Sequence, residues 1–222
     1  MTYTITMKNL IKIILTICFI FGTLSSFSQT KLYIHPNSNK YVKNTKSIAI
    51  LPLAVQVKLR PKELAALTPE QIEDMGIKES LDIQKAMHTW FLTRKQRGEF
   101  VGEVLSVIRT NALLTKAGYD IHNLNLELPS DLGKVLGVDC VVMGTFETDK
   151  PLSSGAAIGI ALLGGFVATS SAVCNLDFYN VEDDELVVNY NKKVRGGLGS
   201  DAQDLINILM RKVTRRIPYT SR

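Results

Sequence analysis

The strongest constraint on the fold is a hairpin pattern in the second half of the sequence. Residues 173–179 alternate between apolar and polar side chains, and a similar alternation returns at 186–190 after an acidic turn at 182–185. The apolar positions are Cys174, Leu176 and Phe178 in the first segment and Leu186, Val188 and Tyr190 in the second. Strict alternation is typical of a strand with one buried face. The pattern therefore predicts an antiparallel pair whose apolar face must be covered by other elements.

Two further segments are typical of buried strands. Residues 47–53 form a nearly continuous apolar run that Pro52 ends, and residues 138–146 are rich in Val and Met. Helices are predicted at 68–75, 78–97, 100–117, 131–136 and 200–217, from capping signals and from apolar residues at helical spacing. Thr68 and Gln71 are expected to form a capping box, Gly76 to stop that first helix, and Ser130 to cap the fourth.

This order of elements predicts an α/β (α+β) fold. We expect a small mixed sheet of about four strands, including the C-terminal hairpin, that helices cover mainly on one face. The C-terminal helix is expected to pack on the sheet. Residues 47–219 would form a single domain with a small-residue apolar insertion at 151–170, and the polar residues 30–46 would be a loose N-terminal leader into it.

The first 29 residues have the pattern of a secretory signal peptide. A short basic start precedes an apolar run at 10–24, and small residues at 26 and 28 predict cleavage after residue 28 or 29. The start codon is either Met1 or Met7. A retained membrane anchor would need a longer apolar run, and a lipoprotein signal would need a small residue before Cys18, where this chain has Ile17.

The charge balance argues against a nucleic-acid partner. The 222 residues are 45% hydrophobic and carry a formal net charge of +5, of which Lys8 and Lys12 belong to the predicted signal peptide. The remaining basic residues cluster at 94–97 and 211–216, near predicted helix ends, where cations complement the helix dipole. A basic stripe with interleaved aromatic residues is not found. A patch for phosphate or anionic lipid is the alternative reading of these clusters.

Several short motifs occur in a characteristic order. Residues 47–53 read SIAILPL, residues 132–144 read LGKVLGVDCVVMG, and a hairpin beginning NLDFYNV follows at 175–181. Together they resemble the CsgG and TolB amino-terminal superfamily of bacterial envelope proteins, over about residues 48–217. The hairpin turn departs from the TGE-like turn of that family, and the helices between 62 and 97 are an insertion. The resemblance implies periplasmic or outer-membrane-associated proteins that act by assembly and protein contact, and it brings no catalytic residue.

The segment 151–176 contains no ionisable side chain apart from the thiol of Cys174. Small residues recur in it at the spacing that lets helices approach closely. The candidate interface or membrane-contact residues are Gly155, Gly159, Ala161, Gly164, Gly165 and Phe166. The apolar part is too short to span a bilayer as a helix. Three readings stay open: a connection between the second strand and the hairpin, an oligomer or partner interface, and a membrane-touching or pore-lining insertion.

No residue pattern predicts a catalytic, cofactor or metal site. His35, His88 and His122 stand outside nucleophile and metal-ligand spacings. The G-x-G-x-x-A at 197–202 lacks the following strand and acid of a dinucleotide site, and the acidic turn lacks the spacing of a dedicated calcium loop. Cys140 and Cys174 are expected to be buried thiols, because strand pairing near residues 147 and 172 would hold them too far apart for a disulfide.

The sequence thus predicts a non-enzymatic exported protein of the periplasm or outer membrane. It would act by binding other envelope proteins or further copies of itself, as an accessory of a secretion or surface-assembly system, without a cofactor and with peripheral membrane contact left open. The alternative is a membrane-inserting channel or assembly subunit that uses residues 151–170. A periplasmic hydrolase without a recognised motif is the third hypothesis.

Overall fold

The computed structural model describes residues 30–59, 61–100, 102–148, 171–195 and 202–220. The strands in these ranges are β1 Thr30–Ile34, β2 Ser47–Ile50, β3 Ala54–Val57, β4 Glu103–Val104, β5 Cys140–Thr148, β6 Ser171–Asn180 and β7 Leu186–Arg195. The helices are α1 Ser38–Asn44, α2 Pro61–Leu64, α3 Pro69–Gln96, α4 Val107–Lys116, α5 Pro129–Leu136 and α6 Ala202–Val213, with a 3-10 turn at Leu124–Leu126.

The strands form one open mixed sheet in the order β1-β7-β6-β5-β2-β4, and β3 also pairs with β5. β2 and β3 run parallel to β5, and β4 runs parallel to β2. β5, β6, β7 and β1 are successive antiparallel neighbours. The predicted α+β fold, its C-terminal hairpin and the packing of the C-terminal helix on the sheet are confirmed.

The sheet has seven strands rather than about four. β1 pairs with β7 over all of its five residues, and α1 follows it, so the expectation of a loose leader at 30–46 is wrong. β3 resumes the line of β2 along β5 after Pro52, and β4 is only two residues long. Strands this short carry little periodic signal, and their partner strands supply the hydrogen bonds that make them form.

Helices cover both faces of the sheet, unequally. The larger apolar core joins β2, β5, β6 and β7 to α3 and α6, and it includes Phe91, Phe146, Phe178 and Leu209. A smaller core on the opposite face lies under α4, α5 and the 3-10 turn. The expected single main layer is therefore correct for α3 and α6, and the two short helices add a second, partial layer.

Helix α3 is one continuous helix across Gly76, which was expected to end it. Its predicted start is confirmed: the Gln71 N–H donates to Thr68 Oγ1 at 3.3 Å, and the Thr68 N–H donates to Gln71 Oε1 at 2.9 Å. A glycine inside a helix costs about 1 kcal/mol. Here a β-carbon at Gly76 would lie 3.4 Å from the Val55 carbonyl oxygen, an ordinary contact distance, so the approach of α3 to β3 does not require a glycine at this position.

Two further helix starts differ from the prediction. Residues 103–104 pair with β2, and α4 begins at Val107 with Ser106 as its cap, instead of near residue 100. The cap of α5 is Leu128, whereas Ser130 is buried in the first turn and its N–H donates to Asp184 Oδ1 at 2.5 Å. In both cases a tertiary hydrogen-bond partner outweighs the local helix signal.

Asp139, in the LGVD segment, ties the starts of β2 and β5 together. Its Oδ2 atom accepts hydrogen bonds from the Lys46 N–H at 2.8 Å and from the N–H and Oγ of Ser47, each at 2.9 Å. The Asp139 N–H donates back to Ser47 Oγ at 3.2 Å. This clamp sets the register in which Ile48 lies beside Cys140.

Candidate interaction surface

The sequence-predicted contact residues lie outside the described part of the chain. This holds for all of Gly155, Gly159, Ala161, Gly164, Gly165 and Phe166, and equally for the predicted signal peptide at 1–29 and the glycines at 196–199. The structure does show where the 151–170 insertion is attached. The chain leaves β5 at Thr148 and returns at Ser171, and Thr148 pairs with Ala172, so the insertion connects adjacent antiparallel strands.

The strand that sequence reasoning missed, β1, is the most exposed apolar element of the sheet. It stands at one end of the strand order, with β7 on one side and no further described strand on the other. Leu32, Tyr33 and Ile34 expose 37%, 43% and 39% of their surface. The signal that could have found β1 is its run of Thr, Leu, Tyr and Ile, residue types that favour strands, directly after the predicted cleavage site.

The pairing of β1 assigns each of these side chains to a face of the sheet. Leu32 and Ile34 lie opposite Tyr190 and Val188, whose side chains are fully buried in the larger core. They therefore extend that apolar face to the rim of the sheet. Tyr33 lies opposite Asn189 and so stands on the other face.

That other face carries a polar network beside β1. Asn189 Nδ2 donates to Asp177 Oδ1 and, at 3.0 Å, to Asn175 Oδ1, while Asn175 Nδ2 donates to Asp177 Oδ2 at 2.9 Å. Burial raises the pKa of Asp177, and the two amide donors counter part of this rise. The three side chains are half-buried, and α4 and α5 cover a different part of this face. Next to β1 the sheet therefore presents a partly open polar surface.

The acidic turn between β6 and β7 holds helix α1. Asp183 Oδ1 accepts from Asn180 Nδ2 at 2.7 Å and from the Glu185 N–H at 3.2 Å, and its Oδ2 accepts from Tyr41 Oη at 3.0 Å. His35 Nδ1 accepts from the Asn37 N–H at 3.0 Å, and the His35 ring meets Tyr41 edge-on at 5.3 Å. The acidic turn and His35 thus hold the loop that follows β1 in place. The outer edge of β1 is therefore a defined surface.

A cavity of about 630 Å³ lies between β3, α3 and the loop after α4. Its lining is about half aliphatic and half polar, with Lys58 and Glu73 among the polar residues and His122 beside Asp120. The Asp120 carboxylate accepts from the His122 backbone N–H at 3.0 Å, a hydrogen bond that lowers the pKa of Asp120. The Ser80 hydroxyl, also in the lining, donates to the Leu53 carbonyl at 2.7 Å. The Asp120 carboxylate and the Ser80 hydroxyl both stabilise the local backbone. Their geometry gives no support to the hypothesis of a hydrolase.

The remaining polar candidates also have structural surroundings. His88 is half-buried on α3, where burial lowers its pKa. Cys140 and Cys174 are buried free thiols, as predicted, because Cys174 pairs with Phe146 and not with Cys140. In the described ranges no three His, Cys, Asp or Glu side chains are grouped to hold a metal ion. Of the helices described, none is both long and apolar enough to cross a bilayer.

The chain was also compared with known proteins. No protein-family model matches it, and a search of curated proteins finds no match. Similar solved structures include the PelC dodecamer from Paraburkholderia phytofirmans, at 9% identity over 88% of this chain and 99% of that chain, with a TM-score of 0.43. Lipoprotein GNA1162 from Neisseria meningitidis has 13% identity over 77% of this chain and 95% of that one, with a TM-score of 0.38.

The C-terminal domain of LpoB from Salmonella enterica is a further similar structure. It has 9% identity over 73% of this chain and 93% of that domain, with a TM-score of 0.30. At identities of 9–13%, no functional residue can be transferred from these proteins to this chain.

Proposed function

We propose that this chain is an exported, non-enzymatic envelope protein that acts by binding other envelope proteins or further copies of itself. The observation that carries the proposal is the exposed outer edge of β1, with Leu32, Tyr33 and Ile34 beside a partly open polar face. An accessory role in a secretion or surface-assembly system, and membership of the CsgG and TolB superfamily, belong to the same proposal and rest on the resemblance of the sequence motifs.

The physical basis is that an unpaired strand edge is a ready template for another strand. Its backbone N–H and C=O groups point outward and bind a partner by main-chain hydrogen bonds. Proteins commonly protect such edges with charged side chains, proline or a covering loop. Among the five residues of β1 the single charged side chain is Lys31, and three exposed apolar residues follow it directly at 32–34.

Export follows from the predicted signal peptide. The first described strand begins at Thr30, one or two residues after the predicted cleavage position. Cleavage after residue 28 or 29 would leave β1 intact at the start of the mature chain. Amino-terminal sequencing of protein recovered from the periplasm tests this, and a mature protein that retains residues 1–29 would contradict export by a cleaved signal.

Site-specific photocrosslinking in intact cells tests the binding surface. A benzophenone amino acid replaces Tyr33, and a second variant carries it at Leu92 on α3, which exposes the same 43% of its surface. We expect a protein adduct from position 33 and none from position 92, because only the first lies on the strand edge. Equal adducts at both positions, or none at position 33, would contradict the proposed surface.

A further inference from the structure

The outward side of β1 can be assigned residue by residue. The His35 N–H donates to the Val187 carbonyl at 2.9 Å, in line with the pairing of Ile34 with Val188. Backbone groups alternate in direction along an antiparallel strand. The N–H and C=O groups of Lys31 and Tyr33 therefore face β7. Those of Thr30, Leu32 and Ile34 face outward, away from the sheet.

We propose that this outward edge pairs with β1 of a second copy of the chain. The pairing is antiparallel, about a twofold axis at Leu32, and it joins the two sheets into one. This inference rests on the proposed function and names self-association as its form. A twofold arrangement lets the same surface serve both partners, and it is the commonest symmetry of soluble oligomers.

Several registers place the outward-facing residues of one copy opposite those of the other. The chemistry of β1 selects the register whose axis is at Leu32. With the axis at Leu32, Thr30 opposes the partner's Ile34, and every outward-facing residue of the strand has a counterpart. On the other face Lys31 stands opposite the partner's Tyr33, an arrangement in which the ammonium group can approach the ring. Charge and aromatic ring are thus complementary when the strand meets itself.

The neighbouring registers are worse for stated reasons. Moving the axis to Lys31 places two lysines directly opposite each other, and like charges in that position are destabilising. Moving it to Tyr33 brings Pro36 opposite Thr30, and proline has no N–H to donate. Pro36 also begins the turn that ends the strand. The register at Leu32 avoids both faults and uses all five residues of β1.

The expected affinity is low. A pairing of two five-residue strands buries less than the roughly 1,200–2,000 Å² of a stable interface. We therefore expect a weak dimer, with a Kd of about 10⁻⁶ M or higher. A covalent trap is better suited to such a contact than sedimentation at low concentration.

Disulfide trapping with single cysteines tests both the pairing and its register. In the proposed dimer the two Leu32 Cα atoms lie about 5.5 Å apart, inside the range of about 4.4–6.8 Å that a disulfide accepts. The two Tyr33 Cα atoms are offset by two residues and lie about 8 Å apart, which is too far. The native Cys140 and Cys174 are fully buried and do not interfere.

The purified exported protein is oxidised under mild conditions and run on a non-reducing gel. We expect Leu32→Cys to form a dimer of doubled mass at least tenfold faster than Tyr33→Cys or Lys31→Cys. A mixture of Lys31→Cys with Tyr33→Cys protein should give the mixed dimer, because these positions oppose each other. Circular dichroism and unfolding midpoints matching the unsubstituted protein would show that the exposed substitutions leave the fold intact.

Each other outcome overturns the inference. Faster trapping by Tyr33→Cys would mean a different register, and equally slow trapping of all variants would mean that β1 does not pair with itself. If trapping fails while the benzophenone at position 33 still captures a different envelope protein, self-pairing is wrong and the proposed function stands. If neither experiment gives a product, both are wrong.

Discussion

Gly144 should be the most sensitive glycine in the sheet. It lies in the middle of β5 with φ +149°, and a β-carbon built there would be 2.0 Å from the Asn175 carbonyl oxygen and 2.9 Å from its carbonyl carbon. Both atoms belong to the backbone of β6, the antiparallel neighbour of β5. An alanine at this position can be accommodated only if the two central strands move apart.

The expected cost has two parts. A side chain held at this φ costs about 1–3 kcal/mol, and forcing packed elements apart adds about 1–3 kcal/mol. Gly144→Ala should therefore lower the free energy of unfolding by about 2–6 kcal/mol, against a total of about 5–15 kcal/mol for a typical domain. With a urea m-value of about 2 kcal/mol/M, the midpoint would fall by about 1–3 M.

The assay is urea unfolding followed by the fluorescence of Trp90, the single tryptophan of the chain. Trp90 is half-buried on α3, and its Nε1 donates to Asn207 Oδ1 of α6 at 3.2 Å, so it reports on the larger core. The matched control is Gly118→Ala, because Gly118 has φ +89° but nothing lies within 4 Å of the position that its β-carbon would occupy. Equal losses in the two variants, within about 0.5 kcal/mol, would refute the steric argument.

Three further predictions concern polar and thiol groups. Asp139→Ala should lower the free energy of unfolding by about 2–3 kcal/mol, since hydrogen bonds to a charged acceptor contribute about 1.5–3 kcal/mol. Asp139→Asn, which keeps one acceptor oxygen, should lower it by less in the same urea titration. Equal losses in the two variants would argue against the hydrogen-bond clamp between Asp139 and the start of β2. Burial raises the pKa of Cys140 to about 12 and raises that of Cys174 as well. Mass spectrometry should therefore find neither thiol alkylated by iodoacetamide at about pH 8 in the native protein, and both alkylated in concentrated urea. Alkylation of either thiol in the native protein would contradict its burial. Burial opposes the charge of Asp183, but hydrogen bonds from a neighbouring amide, a backbone N–H and Tyr41 lower its pKa overall. The stabilisation by this carboxylate is therefore present above the unfolded pKa of about 3.9 and is lost as the pH falls through the lower folded value. Tyr41→Phe should reduce the stability at neutral pH and not at about pH 2, and an equal reduction at both would be inconsistent with the carboxylate as acceptor.

Much of the sheet and its helices could be predicted because their signals are local. The alternation at 173–179 requires one buried face whatever the rest of the chain does, and it became β6. The capping box of Thr68 and Gln71 is formed by residues three apart, so the same atoms that suggest it also make it. The prediction of buried thiols rested on strand pairing near residues 147 and 172. This is within one residue of the observed pairing of Thr148 with Ala172.

What sequence reasoning missed depends on partners far away in the chain. β4 is too short to be recognised alone, β1 has strand-favouring residues but no alternating pattern, and both form because β2 and β7 supply their hydrogen bonds. Gly76 weakens a helix locally, but α3 runs through it, because Met75 and Ile83 on either side of it are buried in apolar clusters with strand residues. The candidate surface was missed for the same reason, since the outer edge of β1 is defined only by the pairing on its inner side.

The sequence by itself determined the alternating core strands, the capping box of α3, the free thiols and the expectation of export, because each of these depends on neighbouring residues or on composition. Only the tertiary structure decided that β1 is a sheet edge and that Leu32 and Ile34 continue the buried apolar face to the rim. These decisions required strands separated by more than a hundred residues to come into register, and hydrogen bonds between such strands leave no local pattern in the chain.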